Sequence, residues 1–301
     1  MPSGTEADDL RRLLCFEPRG HADMYGGFIV PPDDDGAHLG VLFWHKDGFS
    51  TACGHGTIAL GTWAVESGLV DPDPSGTTDV MIDVPSGRVT ARVHTDTGGS
   101  VSHVEFINVA SRLVANDVVV TTSQGDCLVD LVWGGAIYAC LDASTVGLTV
   151  APEHLTDLIA LGRDVKAVLA DDPRISHPTD ARLSGVYGTI IYDDLGTLPT
   201  GELHQRNVTI FADGQVDRSP CGSGTAARIA ALHLTGRLAL GQTLVHNSII
   251  DSTFRAHVAG LTTEHGESAV IPVVSGTAHL VARSTFTVDE NDPLTPGFTL
   301  R

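Results

Sequence analysis

The sequence predicts a mixed α/β protein made of two similar lobes. Its 301 residues exceed what one hydrophobic core usually accommodates and are typical of two domains. Most apolar runs are short and bounded by turn-forming residues, as in strands, while few segments have the length and pattern of a helix. One helical segment occurs twice, once in each half of the chain, which indicates an internal repeat with one such helix in each lobe.

The strand-like runs are separated by clusters of Gly, Pro, Asp and Ser, for example over residues 31–36 and 72–77. Their apolar composition between turn signals predicts strands. The predicted strands span residues 27–30, 39–44, 80–84, 89–93, 118–121, 129–133, 186–192, 208–211, 269–274 and 278–286. Helices are predicted after Cys53, over residues 152–161 and after Cys221.

Composition and charge exclude several classes of protein and partner. A hydrophobic fraction of 42% and a charged fraction of 18% are ordinary for a folded globular protein. The chain has no apolar run long enough to predict a transmembrane helix, and residues 1–9 lack the pattern of a secretory signal. The net charge of -19 repels phosphodiester backbones and anionic lipids, so neither nucleic acid nor a membrane surface is an expected partner.

The five cysteines are widely and irregularly spaced. An odd number of cysteines without a secretory signal predicts reduced thiols and a cytoplasmic location. No C-x-x-C pair occurs, so no metal site is expected. Three of the cysteines lie in apolar, strand-like surroundings and are interpreted as inert core residues: Cys15, Cys127 and Cys140.

Two cysteine segments, residues 53–59 and 221–227, resemble each other and carry most of the functional information. They share the pattern Cys-Gly-x-Gly-Thr-x-Ala, and each continues as an apolar helical stretch. Each also meets a glycine at the same offset from its cysteine, Gly68 in the first segment and Gly236 in the second. A glycine just past a helix is a common stop signal, so both segments predict a turn, a helix start and a buried helix.

The start of a helix is a favourable place for a reactive thiol. Its backbone N–H groups are unpaired and carry partial positive charge, which stabilises a thiolate and binds a carboxylate. If both helices begin at one cleft, a carboxylate can be held between them with a sulfur on each side. Cys53 and Cys221 could then remove a proton from one face of a carbon and return one to the other face.

Other functions suggested by the same residues have weaker support. Cys53 and His55 could suggest a thiol hydrolase, but residues two apart at a helix start rarely face each other. The glycines after Cys221 could suggest a phosphate loop, but the Lys-Ser/Thr ending is missing. The only lysines, Lys46 and Lys166, lie in no motif that marks a Schiff-base residue.

Four stretches of the chain resemble the proline racemase superfamily: residues 17–26 (EPRGHADMYG), 53–57 (CGHGT), 217–225 (DRSPCGSGT) and 292–298 (DPLTPGF). The resemblance runs from about Leu14 to the C-terminus. It implies a diaminopimelate-epimerase-like α/β fold of two pseudo-symmetric lobes, each with a sheet wrapped around a central helix. The expected N-terminal lobe comprises residues 1–111 and 285–301 and carries Cys53. The expected C-terminal lobe comprises residues 112–284 and carries Cys221.

The resemblance also implies the roles of the site residues. It makes Cys53 and Cys221 the catalytic bases of a cofactor-independent amino-acid isomerase. It implies a small imino acid as the ligand and is compatible with a homodimer. Asp217 is expected to pair with the ring nitrogen. The remaining expected substrate-binding residues supply carboxylate contacts from the backbone or line the ring pocket: Gly54, His55, Gly222 and Ser223 for the carboxylate, and Tyr25, Ser50 and Phe211 for the ring.

Three functions remain open at this point. Cysteine at both catalytic positions favours racemisation of proline or 2-epimerisation of a hydroxyproline. Similar trans-3-hydroxy-L-proline dehydratases typically carry Thr at the second position, yet the hydroxyls of Tyr25 and Ser50 keep a hydroxylated ring and dehydration open. Members of the superfamily also usually begin with an Asp-x-His-Thr-Gly-Gly-Glu-like strand. That motif does not precede residues 17–26, which leaves a catalytically silent imino-acid-binding protein as an alternative of another class.

Overall fold

A computed structural model describes residues 5–289 and 291–300 of the chain. It contains four α-helices, α1 (Glu6–Cys15), α2 (Gly54–Glu66), α3 (Leu155–Leu169) and α4 (Gly222–Leu234). The strands are β1 (Tyr25–Val30), β2 (Leu39–His45), β3 (Gly48–Phe49), β4 (Thr77–Val84), β5 (Gly87–Thr95), β6 (Val101–Ile107), β7 (Arg112–Thr122), β8 (Gly125–Trp133), β9 (Ile137–Asp142), β10 (Val186–Thr197), β11 (Leu203–Phe211), β12 (Gln215–Asp217), β13 (Leu244–Ser248), β14 (Thr253–Glu264) and β15 (Glu267–Gly276).

The strands form one continuous hydrogen-bonded sheet. Its order is β1-β2-β4-β5-β6-β15-β14-β13-β11-β10-β9-β8-β7, with β3 paired to β2 and β12 paired to β11. Most neighbours are antiparallel, and the parallel pairs are β2–β4, β9–β10 and β11–β13. β6 and β15 join the strands that follow α2 to those that follow α4. The strands that follow the two repeated helices therefore belong to one sheet.

The two repeated helices pack on neighbouring parts of this sheet, and β15 contacts both of them. α2 packs on β4, β5, β6 and β15, and α4 packs on β7, β8, β9, β14 and β15. α2 approaches β5 so closely at Gly61 that a Cβ on this glycine would lie 2.6 Å from the Cβ of Ala91. Residues Gly222–Leu232 of α4 are buried throughout. The predicted α/β class, with a sheet around central helices, is confirmed. The expected division into residue ranges stays a prediction.

The helical predictions hold where local signals are strong. α2 and α4 follow the two cysteines, and α3 lies in the predicted region, preceded by a short 3-10 turn at Pro152–His154. The interpretation of Cys15 as strand-like is wrong, because this residue ends α1 and is buried there. The sequence pattern missed α1 because its start is polar and acidic. Cys127 and Cys140 are buried in β8 and β9, as expected.

One predicted strand, over residues 278–286, is wrong. This stretch has no strand assignment, and its apolar residues Leu280 and Val281 are 66% and 94% exposed. Within the described part of the chain, no neighbouring strand pairs with it. A strand needs a neighbour for its N–H and C=O groups, and an apolar pattern cannot show whether that neighbour exists.

Candidate active site

Cys53 occupies the N-cap position of α2. Its backbone is extended, with φ -154° and ψ 106°, and its Sγ accepts a hydrogen bond from the Gly56 N–H at 3.2 Å. The Thr57 hydroxyl donates to the Cys53 carbonyl at 2.8 Å. The helix ends at Glu66, and Gly68 follows with φ 74°, as its predicted role as a stop requires. The sulfur therefore accepts a hydrogen bond from an otherwise unpaired N–H in the first turn of the helix.

Cys221 occupies the same position before α4 but has a different backbone conformation. Its φ of 60° and ψ of 110° lie in a region that residues with a side chain rarely adopt. The Cys221 N–H donates a hydrogen bond to Ser219 Oγ at 3.1 Å. The carbonyl of the preceding Pro220 accepts hydrogen bonds from Thr225 Oγ1 at 3.0 Å and from Asn207 Nδ2 at 3.1 Å. Such a conformation costs roughly 1–3 kcal/mol and is found mainly at functional sites.

The two helix starts meet at a pair of glycines. A Cβ built on Gly54 would lie 2.6 Å from the Cα of Gly222, and one built on Gly222 would lie 2.5 Å from the Cα of Gly54. Only residues without a side chain allow the backbones to approach so closely. The free N–H groups of both helices consequently converge on one place, where they can bind a single anionic group.

One pocket lies beside this contact and contains both sulfurs. Cys53 and Cys221 are each 5% exposed, so both are similarly buried. Of the residues expected from the sequence, Gly54 and Gly222 form the contact between the helix starts, and Ser50 lies behind the wall of the pocket. The other predicted residues line the pocket: Tyr25, Cys53, His55, Phe211, Asp217, Cys221 and Ser223. Four further lining residues were not predicted: Ala52, Tyr138, Tyr187 and Thr209.

Asp217 and His55 form a polar pair at one side of the pocket. The carboxylate oxygen Oδ2 of Asp217 lies 3.3 Å from His55 Nδ1, while its Oδ1 accepts hydrogen bonds from the N–H and hydroxyl of Ser219 at 2.9 and 2.8 Å. β12 places Asp217 here through its antiparallel pairing with β11, opposite Thr209. The carboxylate is 8% exposed and has one edge directed toward the histidine. Ser219, present in the recognised motif but not among the predicted site residues, fixes its orientation.

Aromatic rings and hydroxyls form another wall. The Tyr25 hydroxyl lies 2.5 Å from Ser50 Oγ, which donates to the Ala52 carbonyl at 3.0 Å. Since the Ser50 proton is used in that bond, Tyr25 is the donor between the two hydroxyls. Phe211 contacts the Tyr25 ring edge-on at 5.9 Å and stacks with Tyr187 at 5.9 Å.

Tyr138 places a further hydroxyl beside Cys221. Its oxygen lies 3.9 Å from the Cys221 Sγ and 2.7 Å from the Ser223 Oγ. Tyr138 was missed because β9 was not predicted, and Tyr187 was missed because residues 186–192 were predicted only as a strand, with no role at the site. The sequence did offer one signal for these residues. A tyrosine inside a buried strand needs a hydrogen-bond partner for its hydroxyl, which indicates polar groups nearby.

The ionisable groups of the pocket shift one another's pKa values. Burial raises the pKa of the Cys221 thiol well above its ordinary value, and the charge of Asp217 adds to this increase. Burial alone would lower the pKa of His55, but Cys53 and Asp217 raise it well above its usual range. Burial would raise the pKa of Asp217, yet His55 and Ser219 hold it below the ordinary value. The site therefore favours an imidazolium beside an aspartate.

Residues 5–289 and 291–300 contain no group of three or more His, Cys, Asp or Glu side chains that could hold a metal ion. None of the helices in that part of the chain is both long and apolar enough to cross a membrane.

Known proteins resemble this chain over almost its whole length. A family model described as proline racemase matches residues 3–299. The chain is 43% identical over 98% of its length to a trans-3-hydroxy-L-proline dehydratase of Colwellia psychrerythraea, covering 82% of that protein. It is 44% identical over 98% of its length to a 3-hydroxyproline 2-epimerase of Burkholderia multivorans, covering 87% of that protein.

A solved structure shows the same similarity in three dimensions. It is a hydroxyproline epimerase from Agrobacterium vitis with bound trans-4-hydroxy-L-proline. The present structure matches it with a TM-score of 0.90 and 31% identity, over 99% of this chain and 84% of the other. Sequence, fold and the pair of cysteine-capped helices thus lead to one assignment: the chain belongs to the proline racemase family.

Proposed function

We propose that this protein is a cofactor-independent racemase of proline or 2-epimerase of a hydroxyproline, with Cys53 and Cys221 as its two bases. The observation that carries the proposal is the presence of both sulfurs, each at a helix start, in one pocket. One base on each face of a carbon can invert its configuration, and a pair of thiols can exchange those roles when the reaction runs backwards.

Substrate binding follows from the groups around the sulfurs. The carboxylate of the imino acid is held by the N–H groups around Gly54, His55, Gly222 and Ser223, where the two helix starts converge. The ring ammonium pairs with the carboxylate of Asp217. The ring itself packs against the aromatic wall that includes Tyr25 and Phe211, with Ser50 behind it.

The chemistry then consists of two proton transfers. One sulfur, as thiolate, removes the proton from the α-carbon, and the other, as thiol, delivers its proton to the opposite face. General acid–base catalysis supplies about 10²–10⁴-fold of the acceleration. The remainder comes from the helix N–H groups, which stabilise the carboxylate as negative charge develops beside it in a pocket that excludes water.

Incubation in D₂O tests the proposal directly. L-proline, trans-4-hydroxy-L-proline and trans-3-hydroxy-L-proline are incubated separately with the enzyme, and nuclear magnetic resonance follows deuterium at the α-carbon and the appearance of the epimer. Exchange together with epimer formation is expected for at least one of the three. Calorimetric binding without exchange of any substrate would instead support the catalytically silent binding protein.

Serine variants test the two bases. Cys53→Ser and Cys221→Ser should each reduce epimerisation by about 10²–10⁴-fold, because a hydroxyl is a far weaker acid and base partner here than a thiol. Carboxylate binding should persist in both, since the backbone donors remain. Cys127→Ser is the matched control, because this buried cysteine lies on β8 and does not line the pocket. A normal rate in either active-site variant would exclude the two-base mechanism.

A second candidate is dehydration of trans-3-hydroxy-L-proline. The Tyr25 hydroxyl favours it, because Tyr25 lines the pocket and can turn its proton from Ser50 to a leaving ring hydroxyl, while Ser50 lies behind it. The relative from Colwellia psychrerythraea is named for this activity. Formation of a pyrroline product without any epimer in the same D₂O experiment would select dehydration over epimerisation.

A further inference from the structure

The hairpin formed by β11 and β12 carries a pocket residue at each of its ends. β11 ends at Phe211 and β12 ends at Asp217, and both residues line the pocket. Antiparallel pairing places Phe211 opposite Gln215, and Asp217 opposite Thr209. The position of this hairpin, residues 211–217, therefore determines where the Asp217 carboxylate lies.

The outer edge of the hairpin is bonded to carboxylates from another part of the chain. Among the strands that the structure describes, β12 pairs with β11 and with no other. A backbone N–H on an unpaired edge needs a different acceptor. Asp23 Oδ1 accepts the Val216 N–H at 3.1 Å, and Asp47 Oδ2 accepts the Asp213 N–H at 2.9 Å. Both bonds join the hairpin to the part of the chain that precedes Cys53.

The only two lysines of the chain also contact this hairpin. Lys46 Nζ lies 3.6 Å from Asp47 Oδ1 and 3.8 Å from Asp213 Oδ2, and its side chain is 6% exposed. Lys166 Nζ donates a hydrogen bond to the Ala212 carbonyl. Ala212 has a φ of 47°, which residues with a side chain rarely adopt. The turn of the hairpin is therefore stabilised by contacts from outside it.

Phe211 adds an apolar contact between the hairpin and the same part of the chain. Its ring meets the Tyr25 ring edge-on at 5.9 Å and the His45 ring edge-on at 5.8 Å. All three side chains lie in the interior or at its border. Polar and apolar contacts together fix the hairpin against residues 23–47.

We propose that Asp23 and Asp47 are positioning residues, which hold the hairpin so that the Asp217 carboxylate stands beside the substrate. They act through the N–H groups of Val216 and Asp213 and do not line the pocket themselves. The proposal deepens the proposed function and rests on it for the contact between Asp217 and the ring ammonium. The hold on the hairpin does not depend on that function.

A displaced hairpin would affect binding more than proton transfer. Asp217 Oδ1 accepts the N–H and hydroxyl of Ser219 at 2.9 and 2.8 Å, so its carboxylate is fixed within its own segment and moves with it. A hydrogen bond between charged groups needs a short distance and good alignment, which a small displacement removes. Cys53 and Cys221 lie at the helix starts, outside the hairpin.

Hydrogen exchange resolved at single amides tests the hold on the hairpin without any turnover. The double variant Asp23→Ala/Asp47→Ala removes both acceptors. The readout is the Gly214 amide, which donates to the Phe211 carbonyl inside the hairpin and to neither carboxylate. It should exchange about tenfold faster in the variant, because exchange follows the free energy of local opening. An unchanged rate would refute the hold on the hairpin.

A double-mutant cycle tests whether the two carboxylates act through Asp217. Alone, Asp23→Ala/Asp47→Ala should raise KM for proline by about tenfold and change kcat by less than about threefold. Added to Asp217→Asn, the same two substitutions should change KM by less than about twofold, because no charge is left to position. An equal effect on KM in both backgrounds would show a general structural role and refute the positioning of Asp217.

Conservative and matched variants accompany these measurements. Asp23→Asn/Asp47→Asn retains an acceptor oxygen for each N–H, so its amide exchange should stay within about threefold of the wild type. Exchange as fast as in the alanine variant would refute a role as N–H acceptors. Asp96→Ala is the matched control, because this exposed carboxylate accepts the Gly98 N–H at 2.8 Å in a turn that does not line the pocket. If the double alanine variant does not fold, the two single variants carry the same tests.

Failure of this proposal can be told apart from failure of the proposed function. Absence of deuterium exchange at the α-carbon, together with faster Gly214 exchange in the double variant, would refute the epimerase and leave the hold on the hairpin standing. Calorimetric Kd for proline then replaces KM in the cycle. Epimerisation together with unchanged Gly214 exchange would support the epimerase and refute the roles of Asp23 and Asp47.

Discussion

Gly54 and Gly222 touch through their backbones where α2 and α4 begin. A Cβ on Gly222 would lie only 2.5 Å from the Cα of Gly54. The contact joins the two halves of the repeated motif and brings two sets of unpaired N–H groups to one side of the pocket. The distance between the helix starts therefore sets the geometry of the proposed carboxylate site.

Substitution of Gly222 by alanine tests this relationship. In Gly222→Ala the new methyl group overlaps the Gly54 backbone, so the helices must separate. Overpacking of this kind typically costs about 1–3 kcal/mol of unfolding free energy. Calorimetry should show a lower Tm and weaker proline binding. Gly260→Ala is the control, because nothing lies within 4 Å of the added methyl. Unchanged proline affinity in Gly222→Ala would show that the contact does not position the carboxylate donors.

Asp217→Asn should weaken substrate binding more than it slows the proton transfers. The amide keeps the shape of the carboxylate but loses its charge, and a hydrogen bond to a charged group contributes about 1.5–3 kcal/mol. Steady-state kinetics should therefore show KM for proline increased by roughly 10–100-fold. Asp251→Asn is the control, since this side chain is 68% exposed and does not line the pocket. An unchanged KM would mean that Asp217 does not contact the ring ammonium.

The hydroxyl pair formed by Tyr25 and Ser50 should affect hydroxylated substrates most. Ser50→Ala and Tyr25→Phe each remove one oxygen from the pair. A neutral hydrogen bond contributes about 0.5–1.5 kcal/mol, so kcat/KM for trans-3-hydroxy-L-proline should fall by about 2–10-fold relative to proline. Proline serves as the internal control for each variant. An unchanged ratio of the two substrates in both variants would show that these hydroxyls do not contact the ring hydroxyl.

The sequence predicted the features of this site that are determined locally. A cysteine before Gly-x-Gly-Thr and a glycine after the helix specify where α2 and α4 begin and end, and those signals lie within a few turns of chain. Tyr138 and Tyr187 could not be placed in the same way. They reach the pocket because β9 and β10 pair with each other and with β8 and β11, and such long-range register is not encoded in a short pattern.

The error at residues 278–286 has the same origin. The stretch is apolar enough to form a strand, but a strand depends on a neighbour elsewhere in the chain, which the pattern cannot reveal. The strained backbone of Cys221 was equally invisible from sequence. Its φ of 60° follows from the bonds that Ser219, Asn207 and Thr225 make around it, not from the preference of cysteine itself.

Two buried histidines should make the protein less stable in acid. Burial lowers the pKa of His246 to about 3, helped by the positive charge of Arg228, and burial lowers that of His45 to about 4. In the unfolded chain both titrate near 6.5. Below that pH the unfolded state binds protons that the folded state does not, so the free energy of unfolding falls as pH decreases. His55 does not oppose this loss, since its raised pKa leaves it protonated in both states below about 6.5.

Urea unfolding between pH 6.5 and 4.5 measures this effect. Each neutral buried histidine contributes a slope of up to about 1.4 kcal/mol per pH unit in that window. His246→Gln should remove the contribution of one histidine to the slope of unfolding free energy against pH, because glutamine does not titrate. This holds whatever the substitution does to the absolute stability. The same substitution at exposed His279 is the control for replacing a histidine by glutamine. If the slope of His246→Gln equals that of the wild type, His246 is not held neutral in the folded protein.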